Sequence, residues 1–396
     1  MGITMNIKIM LSCAVALWAS SASAGILNVG PGQPYATPCA AIAAAAANDT
    51  IRIDASGNYA GDVCAWSKNG LTLIGVNGRP RIDAAGQHAQ GKAIWVIAGA
   101  DTVIDNIELS GATVPDGNGA GIRQEGRNLT IRNAYFHDNE NGILTGALSG
   151  STITIEYSEF ANNGAGDGFT HNLYIGGIDR LIFRYNWSHG ASIGHLLKSR
   201  ARENYILYNR LTGETGGTES YEINLPNGGL SYVIGNLVEQ PPTSDNGAML
   251  DYLSEGGANP DQRLFVINNT FVNNRGSGTF LQIAASTNMP AVVRNNIFYG
   301  GGVVTNQASA VLDQNLVATD PLFVNAAQYD YRLLPGSPAI NAGATPGVGA
   351  GMSLAPVAAY VHPVAGATRV VAGTIDIGAY ELGEAPIFVN GFEGAP

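Results

Sequence analysis

The sequence predicts an all-β fold: a single-stranded right-handed parallel β-helix with a short amino-terminal capping helix and an irregular carboxy-terminal cap. Three observations predict it. An aliphatic residue, a variable residue and Asn or a polar stand-in recur down the chain, as in Val103-Ile104-Asp105-Asn106, Val233-Ile234-Gly235-Asn236 and Val293-Arg294-Asn295-Asn296. With Ile104, Ile131, Ile155, Phe183, Leu207, Ile234, Val266, Val293 and Leu312 as anchors, the steps run from 19 to 32 residues and average 26, the length of one solenoid coil. Within each step the apolar residues alternate in period two between Gly and Asn corners, and helical periodicity is missing from the repeat. Stacked coils of this kind bury their inward side chains against the coils above and below.

Composition agrees. Only 13% of the 396 residues are charged, about half the roughly 25% of an ordinary domain, and disorder or a coiled coil would need far more charge. The net charge of −11 argues against general nucleic-acid or anionic-membrane binding.

Taken in order, residues 1–24 read as a signal peptide. Lys8 precedes the apolar run Ile9 to Trp18, too short to span a bilayer, and Ala22-Ser23-Ala24 offers a cleavage site before Gly25. Export to the periplasm or the exterior is expected, with no transmembrane segment. Residues 25–50 form the amino-terminal cap, with Thr37-Pro38 as N-cap and first residue of an alanine-rich helix. In an oxidising compartment Cys39 and Cys64 are expected to pair. Residues 51–319 are the coils. Their recurring Asn reads as a buried turn residue bonded to loose backbone groups and to its counterpart in the next coil. Residues 320–383 read as closing segments, through Asp320-Pro321-Leu322-Phe323, Pro335-Gly336-Ser337-Pro338-Ala339-Ile340-Asn341-Ala342-Gly343 and Asp376-Ile377-Gly378-Ala379-Tyr380-Glu381, and 384–396 as a tail.

The coil pattern with those last segments resembles the bacterial right-handed β-helix family of the pectin-lyase-like superfamily, over roughly Ile51 to Glu381. The resemblance implies the fold and carbohydrate work outside the cell. A monomer is expected. That superfamily hosts lyases, hydrolases, esterases and inert adhesins, so function has to come from the site.

Basic residues concentrate in one stretch: Arg180, Arg184, Lys198, Arg200, Arg202 and Arg210, with His171, His189 and His195 close by. Counting from the anchors gives an outward row of Tyr174, Lys198, Glu222, Asp251 and Gln282, with Arg200 and Asn224 in a second row. The chemistry of this row fits β-elimination on a uronate-containing glycan: Lys198 as base at C5, Tyr174 as proton donor to the leaving oxygen, Arg200 on the sugar carboxylate. Glu222 and Asp251 would share a Ca²⁺, and no nucleotide or organic cofactor is expected. Asn172, His171, Asn224 and Arg202 are expected to bind the acidic polysaccharide. Lys198-Ser199 with Asn204-Tyr205 and Asn209 is similar to a stretch in β-helix lyases of the alginate and chondroitin type, where a Lys-Ser step carries the base. Those enzymes place acidic calcium ligands just before the lysine, where this chain has Gly194-His195-Leu196-Leu197.

Two other functions fit the same row. Glu222 and Asp251 could be the acid and nucleophile of a glycoside hydrolase, or the row could belong to a non-catalytic glycan-binding or adhesin-like solenoid. No P-loop or HExxH motif is present, which sets aside nucleotide and zinc-protease chemistry.

Overall fold

A computed structural model describes residues 1–2, 24–257 and 259–383. The predicted export signal falls almost entirely outside the described residues, as does the whole tail 384–396. Among the described residues, no helix is long and apolar enough to cross a membrane.

The chain winds into a parallel β-solenoid with three walls. Sheet A has twelve strands, from Ile26–Val29 to Val311–Asp313. Sheet B has ten, from Cys64–Trp66 to Val303–Thr305, and sheet C has ten, from Arg81–Asp83 to Leu316–Val317. Sheet A begins inside the segment expected to be only a cap, because Ile26–Val29 pairs in register with Thr50–Ile53. A seven-residue helix, Pro38–Ala44, starts at Thr37, whose hydroxyl accepts from Ala40 N, and it buries Ala41 and Ile42. Cys39 in that helix is bonded to Cys64 in sheet B, with the Cα atoms 5.8 Å apart.

Alternation explains the core. Ile104, Ile131, Ile155, Phe183, Ile206, Val233, Val266 and Val293 stack on one another inside sheet A, all fully buried. Two anchors differ from the sequence expectation by one residue: Phe183 pairs with Ile206 rather than Leu207, and Ile206 with Val233 rather than Ile234. Both positions of each pair are apolar, so hydrophobicity alone could not choose between them. Leu207 and Ile234 face outward, where other chain covers them.

The recurring Asn forms a continuous buried ladder. Asn186, Asn209, Asn236, Asn269, Asn296 and Asn315 each pass an amide hydrogen bond to the next, at 2.9–3.1 Å. Each also satisfies backbone at the corner; Asn236 Nδ2 donates to Ile206 O and its Oδ1 accepts from Asn209 N. Asn236→Ala should strand buried groups in two coils and cost about 2–3 kcal/mol, read as a lowered midpoint in urea unfolding. A change within 0.5 kcal/mol would mean the ladder is dispensable.

The carboxy-terminal segments do not lie across the last coil. They run back along the sides of the solenoid. The hairpin of Phe323–Asn325 and Asp330–Leu333 covers Leu237 and Val272 on sheet C. Residues 348–368 lie on sheet A, where Tyr208 Oη accepts from Val357 N and Tyr232 Oη donates to Gly349 O. A buried Arg369–Glu381 pair and the bond from Asn268 Nδ2 to Asp376 O fasten the end of this strap. The final coil is consequently left partly open, with Leu312 52% exposed although the repeat predicts it inward. Among the described residues, sheet B receives no part of this strap, so its outer wall is the one left for a site.

Candidate active site

Sheet B carries one outward row through eight coils: Val96, Arg123, Leu144, Tyr174, Lys198, Asn224, Asp251 and Gln282. Tyr174, Lys198, Asp251 and Gln282 stand where the sequence places them. Glu222 does not. Asn224 is the residue between Lys198 and Asp251, and it lies in the first row rather than a second one. The cause is the anchor slip combined with a longer corner at Gly213–Ser220: Asn224 and Asp251 are both eighteen residues past their paired anchors, Ile206 and Val233.

Glu222 instead lies one coil below Met249, accepting that strand's register through Glu222 N to Met249 O, and its carboxyl is fully buried. It is neither beside Lys198 nor paired with Asp251. The pair expected to share Ca²⁺, or to act as a hydrolase's acid and nucleophile, is therefore not assembled. Just before Lys198, where similar lyases carry acidic ligands, His195 and Leu196 are buried and offer no carboxylate. Among the described residues, no group of three or more His, Cys, Asp or Glu is arranged to hold a metal.

What surrounds Lys198 is a carboxylate from a loop. After the sheet B strand Ala248–Tyr252 the chain leaves the wall, and Ser254-Glu255-Gly256-Gly257 folds back over the row, with both glycines at positive φ. Glu255 N donates to Pro226 O, and Asn259 N donates to Asn227 O, fixing the loop on the preceding coil. Glu255 then bridges two cations: Lys198 Nζ lies 2.8 Å from its Oε1, and Arg200 Nη2 bonds its Oε2. Arg200 Nε donates to Tyr174 Oη at 2.8 Å, and its Nη1 donates to Asn227 Oδ1. Lys198 and Arg200 both sit over the Tyr174 ring, 5.5 and 5.7 Å from its centre.

Lys198 is only 8% exposed, with this loop lying over it. Burial raises the Glu255 carboxyl, but its bonds to Lys198 and Arg200 outweigh that and hold it below its ordinary value. Asp251 shifts the other way: burial raises it despite bonds from Ser254 and Asn224 Nδ2, the latter at 2.8 Å.

The remaining expected residues divide. His171 is buried, stacked on His195 with ring centres 4.3 Å apart and on Tyr174 at 5.8 Å. Burial first, then the Lys198 charge, pushes it down to about 3, so it is a neutral support for the Tyr174 ring rather than a ligand for glycan. Its Nδ1 accepts from His195 N at 3.1 Å. Asn172 is a correction: its Oδ1 accepts from Asn163 and its Nδ2 donates to Phe160 O, Ser188 Oγ and His189 O, all inside the corner. The strand starts only at Leu173, so alternation does not extend to Asn172. Asn224 is also buried, with Nδ2 committed to Asp251. Arg202 is exposed at the corner after Lys198-Ser199. Glu255 and Asn227 were missed; the Gly-Gly pair after Glu255 was the available signal, marking a functional loop rather than a strand.

These side chains stand on one wall of a three-walled parallel β-helix, and that architecture is shared with known structures. The chain resembles the crystal structure of pectate lyase Pel9A with a TM-score of 0.57 and 17% identity, over 91% of this chain and 97% of that one. An alginate lyase from Paenibacillus sp. str. FPU-7 matches at a TM-score of 0.44 and 14% identity, over 74% and 99%. No family model and no curated protein matches the sequence. The fold is the pectin-lyase-like parallel β-helix.

Proposed function

We propose that this chain is a carbohydrate-active β-helix protein working outside the cytoplasm, a lyase that cleaves a uronate-containing polysaccharide by β-elimination. The observation that carries this reading is the carboxylate clamp. Lys198 and Arg200 converge on the two oxygens of one carboxylate, against the face of Tyr174, on the wall that, among the described residues, the carboxy-terminal strap leaves uncovered. A sugar carboxylate has the same charge and planarity as the Glu255 head group and can take its place. The disulfide supports the location, since such bonds persist in oxidising compartments.

In this reading the glycan displaces Glu255, and the uronate carboxylate pairs with Arg200. Lys198, freed of its acid partner, first releases its ammonium proton to solvent and then takes the proton from C5 as the neutral amine; the electron pair forms the C4–C5 double bond as the C4–O bond breaks; and the Tyr174 phenol protonates the departing oxygen. Arg200, bonded to Tyr174 Oη, orients that phenol. Arg202 supplies a charge at the rim for the neighbouring sugar. The test incubates the protein with alginate, pectate, glucuronan and glycosaminoglycans. Ultraviolet absorbance of an unsaturated product is expected; new reducing ends without it would mean hydrolysis, and no product on any glycan would mean binding only.

Glu255 makes a separate prediction. Glu255→Ala removes the competitor for the clamp, so KM for the uronate substrate should fall about five- to tenfold, in keeping with one partly exposed charge-assisted contact. A rise in KM would show that Glu255 serves the substrate rather than excluding it. The clamp also has a pH sign: because the Glu255 value is depressed, its contribution is present above pH 4.5 and is lost as pH falls through the folded value. Glu255→Gln should therefore flatten the acid side of the melting-temperature profile.

A further inference from the structure

The sheet B row holds another cation apart from the clamp. Arg123 is linked through Leu144 and Tyr174 to Lys198, three rungs away, or about 14 Å along the axis at the ordinary spacing of paired strands. Its Nε is shut off from solvent without a hydrogen-bond partner, and its ion pair with Glu125 Oε1 is long, at 3.8 Å. Glu125 is held instead by Lys92, whose Nζ lies 2.5 Å from the same oxygen. A guanidinium carries five donors in a planar fork, so this one is under-used where it stands. The Arg123 side chain is 26% exposed, which leaves it within reach of a ligand.

The surroundings give the row a direction. The rungs between Arg123 and the clamp, Leu144 and Tyr174, are uncharged and half-buried, so a sugar chain can lie across them without repulsion. Arg200 follows Lys198 by two residues; the same place is Gly146 after Leu144 and Gly176 after Tyr174, so no side chain rises beside those two rungs. Beyond Arg123 the row closes, because Val96 is buried with Ala89 and Ala93. On the other side of Lys198 the row reads Asn224, Asp251 and Gln282, which includes no cation and has its first two members buried. The 254–257 loop is fixed on that side, through Glu255 N to Pro226 O. A polyanion leaving the clamp along this row therefore meets favourable charge toward the amino-terminal coils and none the other way.

On the uronate reading of the clamp, on which this rests, we infer that Arg123 binds the carboxylate of a second uronate in the same polysaccharide chain, so that the substrate runs from Lys198 toward the amino-terminal coils. The planar carboxylate meets the free edge of the guanidinium as it does at Arg200. Arg123 sets specificity for chain length and takes no part in the proton transfers. A disaccharide held at Arg200 is too short to span both cations, whereas a longer oligomer engages the second as an intramolecular contact. Affinity therefore rises in one step, at the length that first reaches Arg123, and rises little beyond it because the row ends there.

The test titrates alginate, pectate and glucuronan oligomers, from dimer to octamer, into the full chain carrying Lys198→Ala, with calorimetric readout. The same oligomers are followed by ultraviolet absorbance with Lys198 in place. Arg123→Gln is expected to remove the step, weakening the long oligomers about five- to tenfold and leaving the dimer unchanged. Arg123→Lys, which keeps the charge, should keep part of the step and separates a lost contact from a damaged fold. Gln282→Ala, on the far side of Lys198, should leave the step intact; its loss there would reverse the direction and overturn the assignment. Equal weakening at every length in Arg123→Gln would make the arginine part of the clamp and equally overturn it. An unchanged step in Arg123→Gln, with unsaturated product still formed, would reject Arg123 and leave the lyase reading standing. A step that Arg123→Gln removes, with no unsaturated product from any oligomer, would reject the lyase reading and keep Arg123 as a carboxylate site. Binding of no uronate oligomer at any length would overturn both.

Discussion

Lys198→Ala is expected to lower kcat for the elimination by at least about 10²-fold, the usual worth of a positioned base, while the protein stays folded. The side chain lies on the outside of sheet B, so its removal opens no cavity among the inward aliphatic residues. It does release Glu255 from one of its two partners, leaving Arg200 to hold it alone. The kinetic signature is therefore specific: kcat collapses while KM changes little, because the carboxylate contact is assigned to Arg200. Arg200→Lys should show the opposite split, with KM raised, since an ammonium cannot reproduce the fork that meets the carboxylate, Tyr174 and Asn227 together. Lys198→Ala with full activity would remove the lysine from the chemistry. The ultraviolet assay distinguishes these outcomes without any knowledge of which uronate is the natural substrate.

Arg369→Ala should produce the largest change in stability, about 3–5 kcal/mol. Arg369 is fully buried, and its guanidinium bonds Glu381 through Nε and Nη2 at 2.9 and 2.6 Å. It also donates to Gly378 O and Asp376 O, so one side chain ties the chain at 369 to its final stretch, 376–381. Alanine there strips the Glu381 carboxylate of this cation inside protein and frees two carbonyls at once. Because Asp376 and Gly378 are the points where the strap meets Asn268, the loss should spread to the covering of sheet A. Limited proteolysis between 334 and 370, at a protease level that leaves the parent intact, is the expected companion of the lowered melting point. A variant as stable and as resistant as the parent would show that the strap is held by its apolar contacts alone.

The solenoid was legible because its signal repeats. A hydrophobic period of two, broken by Asn and Gly every 26 residues or so, is redundant, and an error in one coil does not alter the fold. The site had no such redundancy. Tyr174, Lys198, Asp251 and Gln282 were placed correctly by counting, whereas Glu222 was placed wrongly because Ile206-Leu207 and Val233-Ile234 each offer two apolar candidates for one inward position. Glu222 and Asn224 share one parity, so alternation could not separate them, and the longer Gly213–Ser220 corner moved the pairing on by two residues. Asn172 failed for a related reason, since alternation has no meaning before a strand begins. Glu255 was out of reach of any counting argument: it lies 57 residues from Lys198, in a loop without period, and meets the lysine only because two coils and a chain reversal bring it back. Residues 320–383 read as closing segments, but the chain there runs along the sides of the solenoid. Nothing in their composition distinguishes lying across an end from lying along a side.

That lateral strap divides the molecule's evolutionary freedom unequally. Substitutions on the upholstered walls must satisfy two partners, the neighbouring coil and the returning chain, so most changes there are paid in cohesion. The wall without the strap answers to its own neighbours above and below and, at Lys198, to the Glu255 loop. New specificities could accumulate on it, rung by rung, while the scaffold behind stays as it was.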